Sequence, residues 1–441
     1  MSKSQHLQIR LEESKKALLD RLCQQEQVTV SEKIRELIEG LIESQSKAPE
    51  HQPMNKTTSS KVKPAQVPEF NKDKKRAFTV GEMYSGPGGI GTALSKTRLQ
   101  SRGIDFSFEH VWATDYDPDT CRTYKNNLLK ANPNALSICD DIRNVDIQKL
   151  PVVDGFLYGF PCNDFSQVGE SLGLKGKFGR LYEYGVEYIN HANPLFIFAE
   201  NVSGIGSSNS GKAFELILSE LNNAGLYGYD LTVHHYKFEE YGVPQARHRY
   251  IIVGTRGDLG LHFKVPTPSM TIKTCKDAIE TPPIPADAHN NELTRQSNVV
   301  VERLKLIKPG ENVWTADLPE HLKLNVKGAT ISQIYKRLDP NKPSYTVTGS
   351  GGGGTHVYHW KDPRALTNRE RARLQTFPDD FVFYGSKESV RAQIGMAVPV
   401  DGAKIILDAL LKTFAGKTYD SIDSSNGFFK SKSLTIKARK A

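Results

Sequence analysis

Phe78-Thr79-Val80-Gly81-Glu82-Met83-Tyr84-Ser85-Gly86-Pro87-Gly88-Gly89-Ile90-Gly91 sets the architecture of this 441-residue chain. An apolar strand runs into a glycine-rich turn and then into a helix. Gly86, Gly88 and Gly91 follow the G-x-G-x-x-G spacing of a nucleotide-binding loop, where bare backbone lets a ligand approach. The next strand, Val111–Thr114, ends at Asp115, placed to accept from ribose hydroxyls. Asp117-Pro118 then opens a helix, with Asp117 at the N-cap and Pro118 at N1. A third strand near Ser137–Cys139 is followed by Asp141-Ile142, an acid for an adenine amino group beside an apolar residue for its ring. Three successive strand ends outline one adenosine-shaped pocket, which implies an α/β fold.

Outward from this pocket, Val152–Tyr158 reads as a buried fourth strand ending in Gly159-Phe160-Pro161-Cys162. Pro161 stiffens the backbone before a thiol presented past a strand end, the place for a nucleophile in an open α/β sheet. A fifth strand, Leu195–Ala199, ends in Glu200-Asn201-Val202. A helix over 211–224 and a strand over Thr232–Tyr236 follow. Gln245-Ala246-Arg247-His248-Arg249 then leads into another strand, with Arg247 and Arg249 spaced to share a face.

The bulk numbers restrict the partners. Residues 1–76 hold 15 Lys+Arg against 11 Asp+Glu, residues 416–441 hold 6 against 2, and the body between holds 37 of each. Basic ends on a neutral body suit a polyanion. No run reaches the ~18 apolar residues of a membrane span, and no secretory h-region is expected at the N-terminus. The five cysteines (Cys23, Cys121, Cys139, Cys162, Cys275) include no Cys-x-x-Cys pair, which argues against a metal site and for a reducing compartment such as a bacterial cytoplasm.

At the N-terminus, Leu7, Ile9 and Leu11 alternate with His6, Gln8 and Arg10, and two helical patterns follow, the second behind a Thr29-Val30-Ser31-Glu32 capping box. Strand–helix–helix in about 40 residues is too small to hide its own core and should dimerise. It resembles the ribbon-helix-helix DNA-binding fold, which would turn His6, Gln8 and Arg10 toward base edges. Residues 45–76, with Pro49, Pro53, Pro64 and Pro68 and no apolar period, read as a linker.

Gly-Phe-Pro-Cys, Glu-Asn-Val and Gln-x-Arg-x-Arg, in that order behind a glycine-rich first loop, resemble the DNA cytosine-5 methyltransferases. Arg369–Asp379 (RERARLQTFPD) resembles the family's ninth motif and Gly395-Met396-Ala397-Val398-Pro399 its tenth, so the likeness covers about residues 77–412. The resemblance implies a Rossmann-like sheet binding S-adenosylmethionine (77–254), a smaller target-recognition domain (255–362), a return to the catalytic domain (363–415) and a basic tail (416–441). It implies Cys162 as nucleophile on cytosine C6, Glu200 at N3 and the amino group, Arg247 at O2, Arg249 bracing Glu200 or the loop, and Asn201 orienting the Pro161 turn. The donor would lie against Tyr84, Ser85, Gly86, Gly88, Gly89, Asp115, Tyr116, Asp141, Ile142, Phe160, Leu181, Met396 and Ala397. Met396 stands where the family has Asn, and Glu82 where it has Asp. Ser166 on the nucleophile's loop, and Thr346 and Thr348 before a run of glycines, are the DNA contacts implied in the body. The reading this supports is the modification enzyme of a type II restriction–modification pair, acting on a base flipped out of duplex DNA, with a cognate endonuclease as functional partner. The alternatives are a tRNA cytosine-5 methyltransferase and a DNA-binding regulator resting on residues 1–44.

Overall fold

The computed structural model describes residues 29–30, 74–130, 132–160, 180–206, 211–324, 332–349, 351 and 354–424. Of the proposed ribbon-helix-helix segment only Thr29 and Val30 are described, both exposed, so His6, Gln8 and Arg10 lie outside the described residues. So do Pro161, Cys162 and Ser166.

The body opens with β1 (Lys75–Met83), α1 (Gly89–Lys96), β2 (Arg98–Ser101), β3 (Ile104–Asp115), α2 (Pro118–Tyr124), β4 (Leu136–Cys139) and β5 (Gly155–Tyr158). It continues with α3 (Tyr182–Ala192), β6 (Phe196–Val202), α4 (Lys212–Asn223), β7 (Tyr229–Lys237), β8 (Gln245–Ala246) and β9 (His248–Arg256). One eight-stranded sheet runs β2-β3-β1-β5-β6-β9-β7, with β4 also on β3. β1, β3, β4, β5 and β6 are mutually parallel, and β9 turns antiparallel between β6 and β7. The chain leaves β1 toward β3 and β4 and returns to β5 on β1's other side. The ends of β1 and β5 therefore meet at a reversal of strand order, where open α/β sheets bind ligands.

Local sequence explains the element starts. Asp117 caps α2 by accepting from the Thr120 N–H at 2.8 Å, with Pro118 at N1. β5 begins at Gly155, three residues later than its apolar run suggests, and Val152 is 63% exposed. The cause is Asp154, which clamps onto β1: its carboxylate accepts from Thr79 N–H at 3.0 Å and its own N–H donates to Thr79 Oγ1 at 2.9 Å. Aromatic rings fill the layer under β5. Phe156 stacks on Tyr158 at 5.0 Å, Tyr158 lies 5.3 Å from Phe160, and Trp112 packs edge-on against Tyr188 at 5.0 Å.

Beyond β9 come β10 (Val265–Pro266), α5 (Cys275–Glu280), α6 (Asn298–Leu306), β11 (Ser344–Tyr345), α7 (Asn368–Leu374), α8 (Lys387–Met396), α9 (Val400–Phe414) and β12 (Ser421–Ile422). A separate apolar cluster, from Leu304, Ile307 and Val313 to Tyr335, Tyr358 and Ala365, marks a second small core. Phe263, Val265, Cys275 and Ile279 belong instead to the main core. α7 starts with a reciprocal box between Thr367 and Glu370. α9 returns the chain to the sheet, its last residue Phe414 lying 4.9 Å from the Phe78 ring and 5.7 Å from that of Phe196.

Candidate functional site

The glycine turn after β1 and the end of β5 open into one cavity of 310 Å³. Its wall carries Glu82, Tyr84, Ser85, Gly86, Gly89, Asp115 and Tyr116 on one side, Gly159, Phe160, Glu200, Asn201, Arg247 and Arg249 on the other, and Met396 and Ala397 across the mouth. Sequence segments more than 300 residues apart thus share one space.

On the turn side, Asp115 is anchored before any ligand arrives. Its Oδ2 accepts from Gly86 N–H at 2.9 Å and its Oδ1 from Asp117 N–H at 3.1 Å. Burial raises its carboxyl above the ordinary carboxylate range, while these backbone N–H groups oppose that shift. Tyr116 beside it is 74% exposed, leaving an aromatic face open at the cavity. Tyr84 takes a left-handed φ of +57°, uncommon for a bulky residue, and its hydroxyl is held by Leu181 O at 2.8 Å. The position of Gly88, at φ +98°, favours glycine: a side chain there would be strained in its backbone, and its Cβ would push Leu128 Cδ1 from 2.4 Å. An anchored acceptor, an open ring and bare turn backbone fit a nucleoside.

On the opposite side, β6 extends through Val202, because β9 pairs with it as far as the Val202–Arg249 partners. Glu200 and Asn201 therefore sit within the strand and not past its end. Glu200 Oε1 lies 2.8 Å from Arg249 Nε, in a pair whose side chains are only 13–14% exposed. A Cβ on Gly159 would sit 3.5 Å from Glu200 Oε2, so the backbone leading to Cys162 runs beside this carboxylate. Asn201, 1% exposed, donates from Nδ2 to Phe160 O at 3.3 Å and accepts Val202 N–H at 2.8 Å. Arg247 is also 1% exposed, and its guanidinium donates to Val347 O at 3.2 Å and Met396 O at 3.4 Å.

Of the expected donor contacts, Gly88, Asp141, Ile142 and Leu181 do not line this cavity. Asp141 pairs with Arg143, Ile142 is packed in the core, and Leu181 acts through its carbonyl on Tyr84. Met396 is 48% exposed and its sulfur lies against Gly86. Thr346 donates its hydroxyl to Ala246 O at 2.7 Å. Sequence reasoning did not assign Glu82, Ile90, Gly159, Val202, Gly395 and Val398 to the wall; the last two stand inside the tenth motif and could have been found there. Among the described residues no group of three or more His, Cys, Asp and Glu could hold a metal ion, and no helix is long and apolar enough to cross a membrane.

Residues 78–412 match the family model of C-5 cytosine-specific DNA methylases. The chain is 55% identical over 359 residues to the type II methyltransferase M.BbvI of Brevibacillus brevis, covering 80% of this chain and 95% of that one. It is 39% identical over 337 residues to the type II methyltransferase M.NgoFVII of Neisseria gonorrhoeae, covering 73% and 86%. A crystal structure described as a DNA modification methyltransferase of an Escherichia coli prophage superposes with a TM-score of 0.59 at 24% identity, over 76% of this chain and 99% of that one, and shares the fold. The order of strands, the cavity shared by the ends of β1 and β5, and a family match covering all of the described sheet but the first three residues of β1 lead to one conclusion: this chain belongs to the C-5 cytosine-specific DNA methylases.

Proposed function

We propose that this protein transfers a methyl group from S-adenosylmethionine to C5 of a cytosine flipped out of a specific duplex DNA sequence, as the modification enzyme of a type II restriction–modification pair. The observation that carries this is the shared cavity: the anchored Asp115 and open Tyr116 face the same 310 Å³ as Glu200, Arg249 and the backbone entering the Cys162 loop. A nucleoside donor and an extruded base would meet there.

Cytosine C5 is a poor nucleophile on its own. The Cys162 thiolate would add to C6 and push density onto C5, splitting one hard step into two easier ones. Glu200 would hold N3 and the exocyclic amino group, and Arg249 keeps that carboxylate oriented from 2.8 Å. Arg247 is fixed by two carbonyls, so its remaining N–H groups would face developing charge at O2 without rearranging. Asn201 ties the end of β5 to β6 and would aim the Pro161–Cys162 turn. Once C5 carries the methyl group, a base would remove the C5 proton, the C5–C6 double bond would re-form and the Cys162 thiolate would leave C6. Asp115 and Tyr116 would hold the donor's ribose and adenine, with Gly86, Gly89 and Met396 along its length. The bound donor supplies an electrophilic methyl group on sulfur.

Residues 255–362, which contain the second apolar cluster except for Ala365, are assigned to target recognition, with Thr346, Thr348 and Ser166 at the DNA backbone. Residues 1–44 would add a dimerising DNA-binding module on a linker that ends before Lys75, because Lys75 and Arg76, read from sequence as its last residues, already belong to β1; a cytoplasmic location beside DNA and a cognate endonuclease follows. The test is transfer of labelled methyl groups to duplex DNA with mapping of the modified cytosines. Cys162→Ser should abolish transfer while leaving DNA binding in place; turnover by that variant would defeat the mechanism.

A further inference from the structure

Beneath the glycine turn, three buried side chains form a hydrogen-bond chain that the chemistry above does not use. Glu82 of β1, 2% exposed, lines the donor side of the cavity. Its Oε2 lies 2.7 Å from Tyr124 Oη, Tyr124 Oη lies 3.1 Å from His110 Nδ1, and His110 Nε2 lies 3.1 Å from Gly91 O. Gly91 makes room for them: a Cβ there would fall 2.8 Å from Tyr124 Oη and 3.1 Å from Glu82 Oε2.

Counting protons along the chain leaves two satisfied arrangements. Gly91 O only accepts, so His110 Nε2 carries a proton. With Glu82 protonated, its O–H donates to Tyr124 Oη, the tyrosine O–H donates to Nδ1, and His110 is neutral. With Glu82 ionised, the tyrosine O–H turns to the carboxylate and Nδ1–H donates to Tyr124 Oη, so His110 is a cation. Both hold the same number of protons. An ionised Glu82 beside a neutral His110 would instead leave two lone pairs facing each other at 3.1 Å. In the absence of a ligand the first arrangement wins. Burial pushes the Glu82 carboxyl up to about 8 although its bond to Tyr124 opposes the shift, and burial pushes His110 down to about 4 although its bond to Gly91 O opposes that one.

We propose that Glu82, Tyr124 and His110 form an internal proton store that matches the charge of the cavity wall to the charge of the donor, an inference that rests on the S-adenosylmethionine reading above. When a sulfonium enters, Glu82 gives its proton to Tyr124 Oη while Tyr124 passes its own to His110 Nδ1, and a carboxylate then faces the cation. After methyl transfer the sulfur is neutral and the proton returns to Glu82. The wall is thus charged for the substrate and uncharged for the product, with no proton exchanged with solvent. Glu82 and His110 act as positioning residues for the donor.

The test is calorimetric titration of the full chain with S-adenosylmethionine and with S-adenosylhomocysteine at pH 7, in buffers of different ionisation enthalpy, to count protons released. Wild type should release close to none with either ligand. His110→Gln can still accept from Tyr124 and donate to Gly91 O but cannot store a proton. It should release close to one proton per S-adenosylmethionine, and its affinity for that ligand should fall about tenfold per pH unit below pH 8. Glu82→Gln should bind the homocysteine product as wild type does and lose at least about tenfold of its preference for the sulfonium. Equal proton counts for wild type and His110→Gln, or an unchanged preference in Glu82→Gln, would overturn the store and leave the proposed function standing. Failure of every form to bind S-adenosylmethionine would overturn both.

Discussion

Asn201 lets the positioning of the nucleophile be tested apart from its chemistry. Asn201→Ala removes the donor to Phe160 O and the acceptor of Val202 N–H, stranding two backbone groups in a region where the side chain itself is 1% exposed. A buried group left unsatisfied costs about 1–3 kcal/mol. The 3.3 Å bond to Phe160 is long and belongs at the low end, so the pair together comes to about 2–4 kcal/mol. At ~2.1 cal/mol/K of unfolding entropy per residue, a body of this size should lose about 3–6 °C in Tm. The effect on turnover should be larger. Phe160 O belongs to the residue just before Pro161, and a shift of about 1 Å in a reacting group costs on the order of 100-fold in kcat. Asn201→Asp separates the two arms, because it keeps the acceptor for Val202 N–H and sets an oxygen against Phe160 O. It should recover part of the stability and none of the rate. Thermal denaturation reads the first, and single-turnover methyl transfer, with DNA affinity measured alongside, reads the second. If Asn201→Ala kept kcat within about threefold of wild type, Asn201 would not be aiming the turn.

Gly88→Ala should lose cofactor binding and destabilise the fold, since a Cβ would be forced to 2.4 Å from Leu128 Cδ1 at φ +98°; unchanged donor affinity would contradict this. Stability should also pass through a maximum with pH. His110, His234 and His356 are each pushed by burial to about 4 from 6.5, so the unfolded chain binds protons that the folded one refuses, and stability falls as pH drops from about 6.5 toward 4. Glu82 works in the opposite sense: its carboxyl is raised from 4.5 to about 8, so its contribution is full below 4.5 and is lost as pH rises toward 8. Three histidines against one carboxyl place the highest urea midpoint near the top of the histidine window, and a flat profile between pH 4.5 and 6.5 would refute the assignment. Deletion of residues 1–73, which spares β1 from Lys75 onward, should leave methyl transfer to saturating DNA intact, because the family match begins at residue 78; loss of transfer on deletion would show that the N-terminal segment completes the site.

What was legible in the sequence followed from how far each interaction reaches along the chain. The Asp117 cap is complete within three residues, and sequence spacing alone placed it correctly. Val152–Tyr158 was expected as one strand because an apolar run reports burial; it does not report where pairing begins, and here that is set by Asp154 gripping Thr79, 75 residues earlier. Glu200 was placed past a strand end for the same reason: the partner that prolongs β6 is β9, about 50 residues further on. The arginine pair shows the limit most clearly. Spacing of two residues predicts one face of one strand, but the strand is broken between them. β8 pairs with β11 and β9 starts at His248, so Arg247 stands at a junction. Its guanidinium reaches carbonyls 100 and 149 residues away, while Arg249 alone meets Glu200. Gln245 explains why the junction holds: fully buried, it accepts Val347 N–H at 2.8 Å and donates to Leu374 O and to Gln375, whose own amide donates to Ile394 O at 2.7 Å. The Gln-x-Arg-x-Arg pattern reads on paper as two arginines on one strand face, one for the base and one for Glu200 or the loop. In the fold its glutamine fastens the late motifs to the sheet, one arginine locks that seam at the cavity wall, and only the second is left to pair with the carboxylate at the site.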